Sequence, residues 1–255
     1  MLLALTRPVP RSIAQCELTH LQREPIDFDR ATKQHEEYEH VLRSLGCTVK
    51  RLPGQDEHPD SVFIEDTAVV FDECAIITRP GAESRRGETD GVAEALHPYR
   101  LVFPIEAPGT LDGGDVLRIG AAVFVGLSTR SNEEGARQMA RHVEPLGYVV
   151  TTIAVRDVLH LKSAVSALED GRVLLNPRLV DASAFGAAAQ IEVSPMEPMA
   201  ANVLSVAGRV VCPESAPRTR RLLEREGYDV VSLEASELAK AEGGLTCCSL
   251  LLAVS

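Results

Sequence analysis

The 255-residue chain contains no tryptophan, and aromatic residues make up only 4% of it, so its core must be built from aliphatic side chains. Long hydrophobic runs are also missing, since no stretch approaches the roughly 18 uninterrupted apolar residues of a membrane-spanning helix. Basic residues are outnumbered by acidic ones, 26 to 37, which gives a formal net charge of −11. Because binding to nucleic acid requires a concentrated basic surface, we expect neither a nucleic-acid partner nor a membrane-spanning segment.

The N-terminal stretch MLLALTRPVPRS has an apolar run too short for a signal peptide and no basic residue before it. We therefore expect a cytoplasmic protein. None of the six cysteines forms a C-x-x-C pair. In a reducing compartment such cysteines stay as thiols, so we expect neither a disulfide framework nor a structural zinc site. The sequence favours no particular oligomeric state.

The chain repeats one order of elements: a β-rich run, a turn, a second β-rich run, and a loop rich in proline, arginine or serine. A fifth copy appears if the C-terminal TCCSLLLAVS pairs with the N-terminal LLALTRPVPRSI. The first strands begin near Asp66, Asp115, Ser163, Asn202 and Cys247, in steps of 49, 48, 39 and 45 residues. Such a period is typical of repeat architectures such as propellers. We therefore predict a single α/β domain over residues 1–255, a five-bladed α/β propeller of strand, strand, helix and strand units.

Helices are predicted between the hairpins and the third strands. Residues 29–46, DRATKQHEEYEHVLRSLG, begin with aspartate and end with glycine, which is typical of a capped amphipathic helix. The stretches SRRGETDGVAEALHPYR, SNEEGARQMARHVEPLG and APRTRRLLEREG have the same character.

The starts of the first strands would meet at the centre of such a ring, and they carry reactive side chains. These are Glu65, Asp66, Asp112, Asp115, His160 and Cys247. Each has an ordinary alternative explanation as a strand-end charge, a turn residue, a core imidazole or a small buried hydrophobe. Their equivalent places in the repeat favour a shared site. If both cysteines lie on a strand, Cys247 faces this site and Cys248 points into the layer behind it.

A thiol, an imidazole and several carboxylates together suggest nucleophilic attack on an electrophilic carbon that carries a positive charge. A guanidinium group fits, because its planar N–H fork pairs with carboxylate oxygens. The loop residues Arg85, Arg86 and Arg130 follow the hairpins. Taken alone, each of these arginines is typical of a protein surface. Together they would bind a substrate carboxylate at the mouth of the site.

These residues lie in motifs of a known family. PDSVFIEDTAVV, ITRPGAESRRGE, TLDGGDVL, VFVGLSTRSNEEGA, LHLKS and LTCCS occur in the order and approximate spacing of the dimethylarginine dimethylaminohydrolases. The chain resembles this family of guanidino-group-modifying enzymes essentially from end to end. The resemblance implies a five-bladed α/β propeller. It also implies hydrolysis of Nω,Nω-dimethyl-L-arginine or Nω-monomethyl-L-arginine to L-citrulline plus dimethylamine or methylamine, without a metal or organic cofactor.

The resemblance also implies roles for individual residues. Cys247 in LTCC would be the nucleophile, and His160 in LHLKS the general acid and base. Asp66 and Asp112 would bind and orient the substrate guanidinium, and Arg85 and Arg130 would bind its α-carboxylate. Asp60 and Glu65 would lie near its amino end or support it, and Leu18 and Ala241 would contact it through their backbones.

Three other functions remain open from the sequence. An arginine deiminase-like hydrolase and an amidinotransferase would use the same fold, but SRRGE, LTCCS and the short chain favour the methylarginine branch. A protein of a different class would use the adjacent cysteines to bind a soft metal or to sense oxidants. Citrulline release from dimethylarginine in the presence of a chelator separates an enzyme from such a thiol protein.

Overall fold

A computed structural model of the chain describes residues 1–254. Within this part the chain forms fifteen strands, most of them short. In chain order they are β1 (Leu2–Thr6), β2 (Cys47–Arg51), β3 (Ala68–Val70), β4 (Cys74–Ile77), β5 (Leu101–Pro104), β6 (Val116–Ile119), β7 (Ala122–Leu127), β8 (Val149–Ala154), β9 (Val165–Ala167), β10 (Val173–Leu175), β11 (Gln190–Glu192), β12 (Leu204–Val206), β13 (Arg209–Pro213), β14 (Asp229–Leu233) and β15 (Leu250–Ala253).

The strands form five three-stranded sheets, which confirms the predicted repeat. The sheets are β3-β4-β5, β6-β7-β8, β9-β10-β11, β12-β13-β14 and β15-β1-β2. In each sheet the first two strands are antiparallel and the third runs parallel to the second. The fifth sheet joins the two ends of the chain, with Leu3 opposite Leu252, as the sequence predicts. This pairing closes the ring.

Helices supply most of the crossovers that parallel pairing requires. The crossover helices are α1 (Phe28–Ser44), α2 (Val92–Leu96), α3 (Glu133–Val143) and α5 (Pro217–Arg225). Two short helices, α4 (Leu161–Ala164) and α6 (Ser236–Ala239), lie between units instead. The cap of α1 is Asp27, whose side chain accepts the N–H of Arg30, so the helix begins before the predicted residue 29. Asn132 caps α3 in the same way by accepting the N–H of Gly135. In the third sheet a short 3-10 turn, Ala182–Phe185, lies in the crossover instead of a helix. No helix within residues 1–254 combines the length and apolar character needed to cross a membrane.

Aliphatic side chains fill the space between neighbouring sheets, as the low aromatic content predicts. Between the fifth and first sheets, Leu5 and Leu252 are buried together with Ala75 and Ile77. Burial of a leucine side chain contributes about 1.5–3 kcal/mol, so each such interface strongly favours the closed ring.

The first strand of four sheets is preceded by a short helical turn at the centre of the ring. These turns are Ile64–Thr67, Gly113–Asp115, α4 and Thr246–Cys248. Cys247 and Cys248 therefore lie on a 3-10 turn and not on a strand, so the reason given for their opposite orientation was wrong. His160 likewise does not lie on a strand: it is the residue before α4.

Candidate active site

A small cavity of about 10 Å³ lies where these central turns meet. It is lined by Glu17, Asp60, Phe63, Asp66, Arg85, Arg130, Leu159, His160, Ala241, Glu242, Gly243 and Cys247. Seven of the ten predicted site residues are among them. The other three, Leu18, Glu65 and Asp112, lie outside the lining. A larger cavity of about 610 Å³ shares Leu159, Glu242 and Gly243 with this one, but it contains neither the thiol nor the imidazole.

Cys247 is a buried, neutral thiol. Its Sγ accepts the backbone N–H of Gly244 at 3.3 Å. Burial raises the pKa of this thiol well above its usual value, and the negative charges of Glu65 and Asp66 raise it further. A cation bound in the cavity would oppose both effects. Cys248 is also buried, but it packs in the core and does not line the cavity.

His160 is a buried imidazole held between two carboxylates. Its Nε2 lies 3.0 Å from Oδ2 of Asp112, and its Nδ1 lies 3.9 Å from Oδ1 of Asp66. Burial alone would lower the pKa of His160, but the charge of Asp66, the hydrogen bond to Asp112 and the charge of Asp115 together raise it to about 9. The ring is therefore protonated at neutral pH and can act as an acid.

Asp66 is an ionised carboxylate at the wall of the cavity. It accepts hydrogen bonds from Nη1 of Arg85 at 2.8 Å and from the N–H of Gly114 at 2.9 Å. Burial would raise the pKa of Asp66, but His160 and Arg85 lower it to about 2. A Cβ atom at Gly114 would lie 2.8 Å from both Oδ1 of Asp66 and Nδ1 of His160. The glycine pair in LDGGD is therefore required for this close approach, and it is not merely a turn signal.

Arg85 is fully engaged by the protein. Its Nε and Nη2 donate to Glu88, its Nη1 donates to Asp66, and Nη2 also faces the carbonyl oxygens of Asp60 and Phe63. The Arg85 side chain lines the cavity, yet most of its N–H groups are already paired. This arrangement favours a role in holding Asp66.

The guanidinium of Arg130 is only partly hydrogen-bonded. Its Nη1 is buried and has no hydrogen-bond partner among residues 1–254, although Oδ2 of Asp112 lies 3.9 Å away. Its Nη2 makes one long contact, 3.4 Å, with Oγ1 of Thr19. An unpaired buried guanidinium N–H is costly, so Arg130 is well suited to bind an anion in the cavity. Arg86, in contrast, lies outside the lining and pairs with Glu83.

A strap of chain, residues 17–23, lies beside the cavity, and Glu17 lines it. Oδ2 of Asp60 accepts the N–H of Glu17 at 2.9 Å. The carboxylate of Glu242 accepts the consecutive backbone N–H groups of Thr19, His20 and Leu21. Leu18 lies between these two attachments and is half-buried, and Ala241 precedes Glu242. The sequence does not indicate Glu242, because a single glutamate before a glycine pair carries no pattern of its own.

Glu65 and Asp112 lie behind the cavity. Glu65 accepts from Nζ of Lys162 and from Oγ1 of Thr246, both at 2.7 Å, so both its carboxylate oxygens are occupied. Asp112 accepts the N–H of Gly81 at 2.9 Å and contacts His160. The charge of Glu65 affects the thiol of Cys247, and Asp112 affects the imidazole of His160 through a hydrogen bond.

Asp115 is a further buried carboxylate, which the sequence places among the reactive side chains at the centre without giving it a role of its own. It accepts from Oγ of Ser128 at 2.6 Å and from the N–H of Leu161 at 2.9 Å. Burial raises the pKa of Asp115 to about 6, against the opposing effects of His160 and Ser128. Because Leu161 follows His160, this contact fixes the backbone next to the imidazole.

One group of side chains within residues 1–254 has the geometry of a metal site. Asp66, Asp112 and His160 each offer a ligand atom, and these atoms lie within 4.8 Å of one another. A protonated imidazole cannot bind a metal ion, so the raised pKa of His160 opposes metal binding there at neutral pH.

The chain is similar to known proteins over most of its length. A family model described as N,N dimethylarginine dimethylhydrolase, eukaryotic, matches residues 17–166. The chain is 43% identical over 250 residues to N(G),N(G)-dimethylarginine dimethylaminohydrolase from Streptomyces coelicolor, covering 96% of this chain and 95% of that one. It is 40% identical over 226 residues to the Pseudomonas aeruginosa protein of the same name, covering 88% and 89%.

Solved structures extend the comparison to the fold. A cysteine-to-serine mutant of the Pseudomonas aeruginosa enzyme complexed with citrulline superposes with a TM-score of 0.94, at 37% identity, over 98% of both chains. The N-terminal domain of ArgZ, a cyanobacterial arginine dihydrolase, has a TM-score of 0.84 over 98% of both chains, but at 18% identity it shares the fold alone. The protein is a five-bladed α/β propeller, and the chain belongs to the dimethylarginine dimethylaminohydrolase family.

Proposed function

We propose that this protein hydrolyses Nω,Nω-dimethyl-L-arginine and Nω-monomethyl-L-arginine to L-citrulline plus dimethylamine or methylamine. One observation carries the proposal: the neutral thiol of Cys247, the imidazolium of His160 and the carboxylate of Asp66 line the same cavity. These are a nucleophile, an acid and an anion that attracts the substrate cation. Two relatives with at least 40% identity carry the name of this activity.

The charges around the cavity support one orientation of the substrate. The guanidinium would lie against Asp66, within reach of Cys247. The α-carboxylate would bind Arg130, whose Nη1 has no other hydrogen-bond partner among residues 1–254. The α-amino group would lie near Asp60 and the backbone of Leu18 and Ala241, since Asp60 anchors the strap close to both. Arg85 would contribute mainly by holding Asp66, and Asp112 by holding His160.

The first half of the reaction forms a covalent intermediate. The positive guanidinium lowers the pKa of Cys247, whose proton leaves to water because His160 already carries its own. The thiolate attacks the guanidinium carbon and a C–S bond forms. His160 then donates its proton to the methylated nitrogen as the C–N bond breaks, and the amine departs. A thiouronium on Cys247 remains.

Water completes the second half. His160, now neutral, removes a proton from water, which attacks the thiouronium carbon. The C–S bond breaks as the hydroxyl proton of the adduct passes to the sulfur of Cys247. Neutral citrulline leaves, and the Cys247 thiol and the His160 imidazolium are restored. Asp112 keeps the ring in place through both halves by its hydrogen bond to Nε2.

A substrate panel with a chelator present tests the proposal. Dimethylarginine, monomethylarginine and arginine are each incubated with the protein, and both citrulline and the released amine are measured. We expect citrulline from the two methylated substrates, and none from the Cys247→Ser variant. Preference for arginine with ammonia release would instead support a deiminase. Absence of citrulline from all three substrates would overturn an enzymatic role and leave the thiol-protein alternative.

We further propose that the protein acts in the cytoplasm. All six cysteines are buried free thiols, including the adjacent pair Cys247 and Cys248. Thiols of this kind persist in reducing compartments.

A further inference from the structure

The fourth unit of the propeller contributes no residue to the catalytic cavity, yet it places an asparagine at the centre. Asn202 precedes β12 and lies between α4, which follows His160, and the turn that contains Cys247. Its side chain is buried, and it does not line the catalytic cavity. Any effect of Asn202 on the reaction must therefore pass through its neighbours.

The amide of Asn202 links the two catalytic segments. Its Nδ2 donates to the carbonyl oxygen of Lys162 at 3.0 Å and to Oγ1 of Thr246 at 3.0 Å. Its Oδ1 accepts the backbone N–H of Thr246 at 3.2 Å. Lys162 lies two residues after His160, and Thr246 directly precedes Cys247. The Asn202 side chain therefore holds the turn that contains Cys247 against the segment that follows His160.

The link belongs to a closed ring of hydrogen bonds. The hydroxyl of Thr246 accepts from Asn202 and donates to Oε2 of Glu65, and Nζ of Lys162 donates to Oε1 of the same carboxylate. The backbone carbonyl of Lys162 accepts from Asn202, so these hydrogen bonds form a closed ring. Four of the five units are joined in this way, and each polar group is paired.

Close packing extends the effect of Asn202 to the sulfur itself. A Cβ atom at Gly244 would overlap the side-chain amide of Asn202, so this backbone lies directly against the amide. The N–H of Gly244 is also the donor to Sγ of Cys247. Asn202 therefore contacts both Gly244 and Thr246, two residues just before Cys247 that determine where the thiol lies.

We propose that Asn202 is a positioning residue, which aligns Cys247 with His160 by bridging Thr246 and Lys162. The proposal rests on the proposed function for its kinetic readout. A misplaced nucleophile slows the chemical step but leaves substrate anchoring intact, because Asp66, Arg130 and Asp60 make no hydrogen bond to the Asn202 amide. Loss of the bridge should therefore lower kcat and leave KM nearly constant.

Asn176 provides a matched control. It is a buried asparagine whose Nδ2 donates to the carbonyl of Pro198 at 2.8 Å and whose Oδ1 accepts the N–H of Arg178 at 3.0 Å. It too bridges chain segments, but its side chain lies outside the catalytic cavity and makes no hydrogen bond to either catalytic turn. Its backbone N–H donates to the carbonyl of Ala164 in α4, and Asn176→Ala keeps that bond. Asn176→Ala should lower the melting temperature and leave kcat unchanged.

The experiment measures kcat and KM for dimethylarginine, together with the rate at which iodoacetamide alkylates Cys247 as located by peptide mass spectrometry. In Asn202→Ala we expect kcat to fall by about tenfold or more, with KM within about twofold, and an altered alkylation rate. Thr246→Val should behave in the same way, whereas Thr246→Ser keeps the hydroxyl and most of the activity. The double variant Asn202→Ala with Thr246→Val should be no slower than the slower single variant, since both remove one bridge.

Several outcomes would overturn the proposal. Unchanged kcat and alkylation in Asn202→Ala, with a lower melting temperature like that of Asn176→Ala, would leave Asn202 a purely structural residue. A raised KM at constant kcat would place it in binding, and additive losses in the double variant would show that it does not act through Thr246. If Asn202→Ala does not fold, the comparison of Thr246→Val with Thr246→Ser decides, and equal activity in those two variants rejects the bridge. If the wild type releases no citrulline, the proposed function fails, while the alkylation rates still test the bridge.

Discussion

His160 and Asp112 share a buried hydrogen bond of 3.0 Å between Nε2 and Oδ2. The bond stabilises the protonated ring, and with the charges of Asp66 and Asp115 it outweighs the effect of burial on the pKa of His160. The imidazole of His160 is therefore charged at neutral pH, whereas the thiol of Cys247 is neutral. In the proposed mechanism, Cys247 ionises when a cationic substrate binds and lowers the pKa of the thiol.

Asp112→Asn tests this hydrogen bond. An amide keeps the shape but loses the negative charge, so the imidazolium is less stable and the pKa of His160 falls. One pKa unit corresponds to about 1.4 kcal/mol, the low end of what a hydrogen bond to a charged group contributes. The pH at which His160 titrates, followed by NMR, should therefore move down by about one unit or more, and kcat should decline at lower pH than in the wild type. An unchanged titration would show that Asp112 does not stabilise the imidazolium.

Arg130→Gln tests the carboxylate anchor, with Arg86→Gln as its control on the neighbouring surface. Arg130 is buried with an unpaired Nη1, whereas Arg86 already pairs with Glu83. A charge-assisted contact is worth about 1.5–3 kcal/mol, so KM for dimethylarginine should rise at least about tenfold in Arg130→Gln only. An agmatine analogue, which lacks the carboxylate, should show no such change. Equal KM values in the two variants would remove Arg130 from the binding site.

Glu65→Gln probes the charge behind the nucleophile. The negative charge of Glu65 raises the pKa of Cys247, second only to burial. Its removal stabilises the thiolate, and the freed Lys162 ammonium acts in the same direction. Alkylation of Cys247 by iodoacetamide should therefore begin at lower pH than in the wild type. The exposed Glu83→Gln variant should keep the wild-type profile, and a shift toward higher pH in Glu65→Gln would contradict the assigned electrostatics.

The attachment of the strap to Glu242 beside the cavity can be tested by substitution. An amide oxygen accepts the N–H groups of Thr19, His20 and Leu21 more weakly than a carboxylate does. In Glu242→Gln the strap should open more often, so trypsin should cleave after the exposed Arg23 faster than in the wild type, and KM should rise by a few-fold. The exposed Glu192→Gln substitution on β11 is the control. A cleavage rate equal to that of the control would show that Glu242 does not hold the strap closed.

The architecture was accessible from the sequence because its units repeat. The spacing of Asp66, Asp115, Ser163, Asn202 and Cys247 reflects five similar hairpins, and closure of the ring through the chain ends followed from the apolar run in each terminus. A period of this kind depends only on local pattern. The crossover of the third sheet was harder, since the 3-10 turn Ala182–Phe185 is too short to show helical periodicity.

The site was only partly accessible. The repeat brings Asp66, His160 and Cys247 to the centre, and their chemistry identifies them. The residues that surround them are harder to predict, because they are far apart in the sequence. Lys162 pairs with Glu65 at a sequence separation of 97 residues, and Asn202 pairs with Thr246 at a separation of 44. Such pairs leave no spacing signal, because they depend on how neighbouring units meet. The same limit applies to Asp112, which was predicted to bind substrate and lies behind His160.

The two adjacent cysteines give the sharpest separation of roles. Cys247 lines the catalytic cavity and accepts the N–H of Gly244, whereas Sγ of Cys248 faces the carbonyl of that residue at 3.7 Å and packs in the core. Cys247→Ser should abolish turnover and keep the melting temperature close to that of the wild type, because a serine hydroxyl ionises far less readily than a thiol. Cys248→Ser buries a hydroxyl in an apolar layer, so it should lower stability by about 1–3 kcal/mol while most of the activity remains. Acid quench during turnover, followed by peptide mass spectrometry, should find the covalent adduct on Cys247. An adduct on Cys248, or turnover in Cys247→Ser, would reverse the two assignments and require that the 3-10 turn present its other side chain to the substrate.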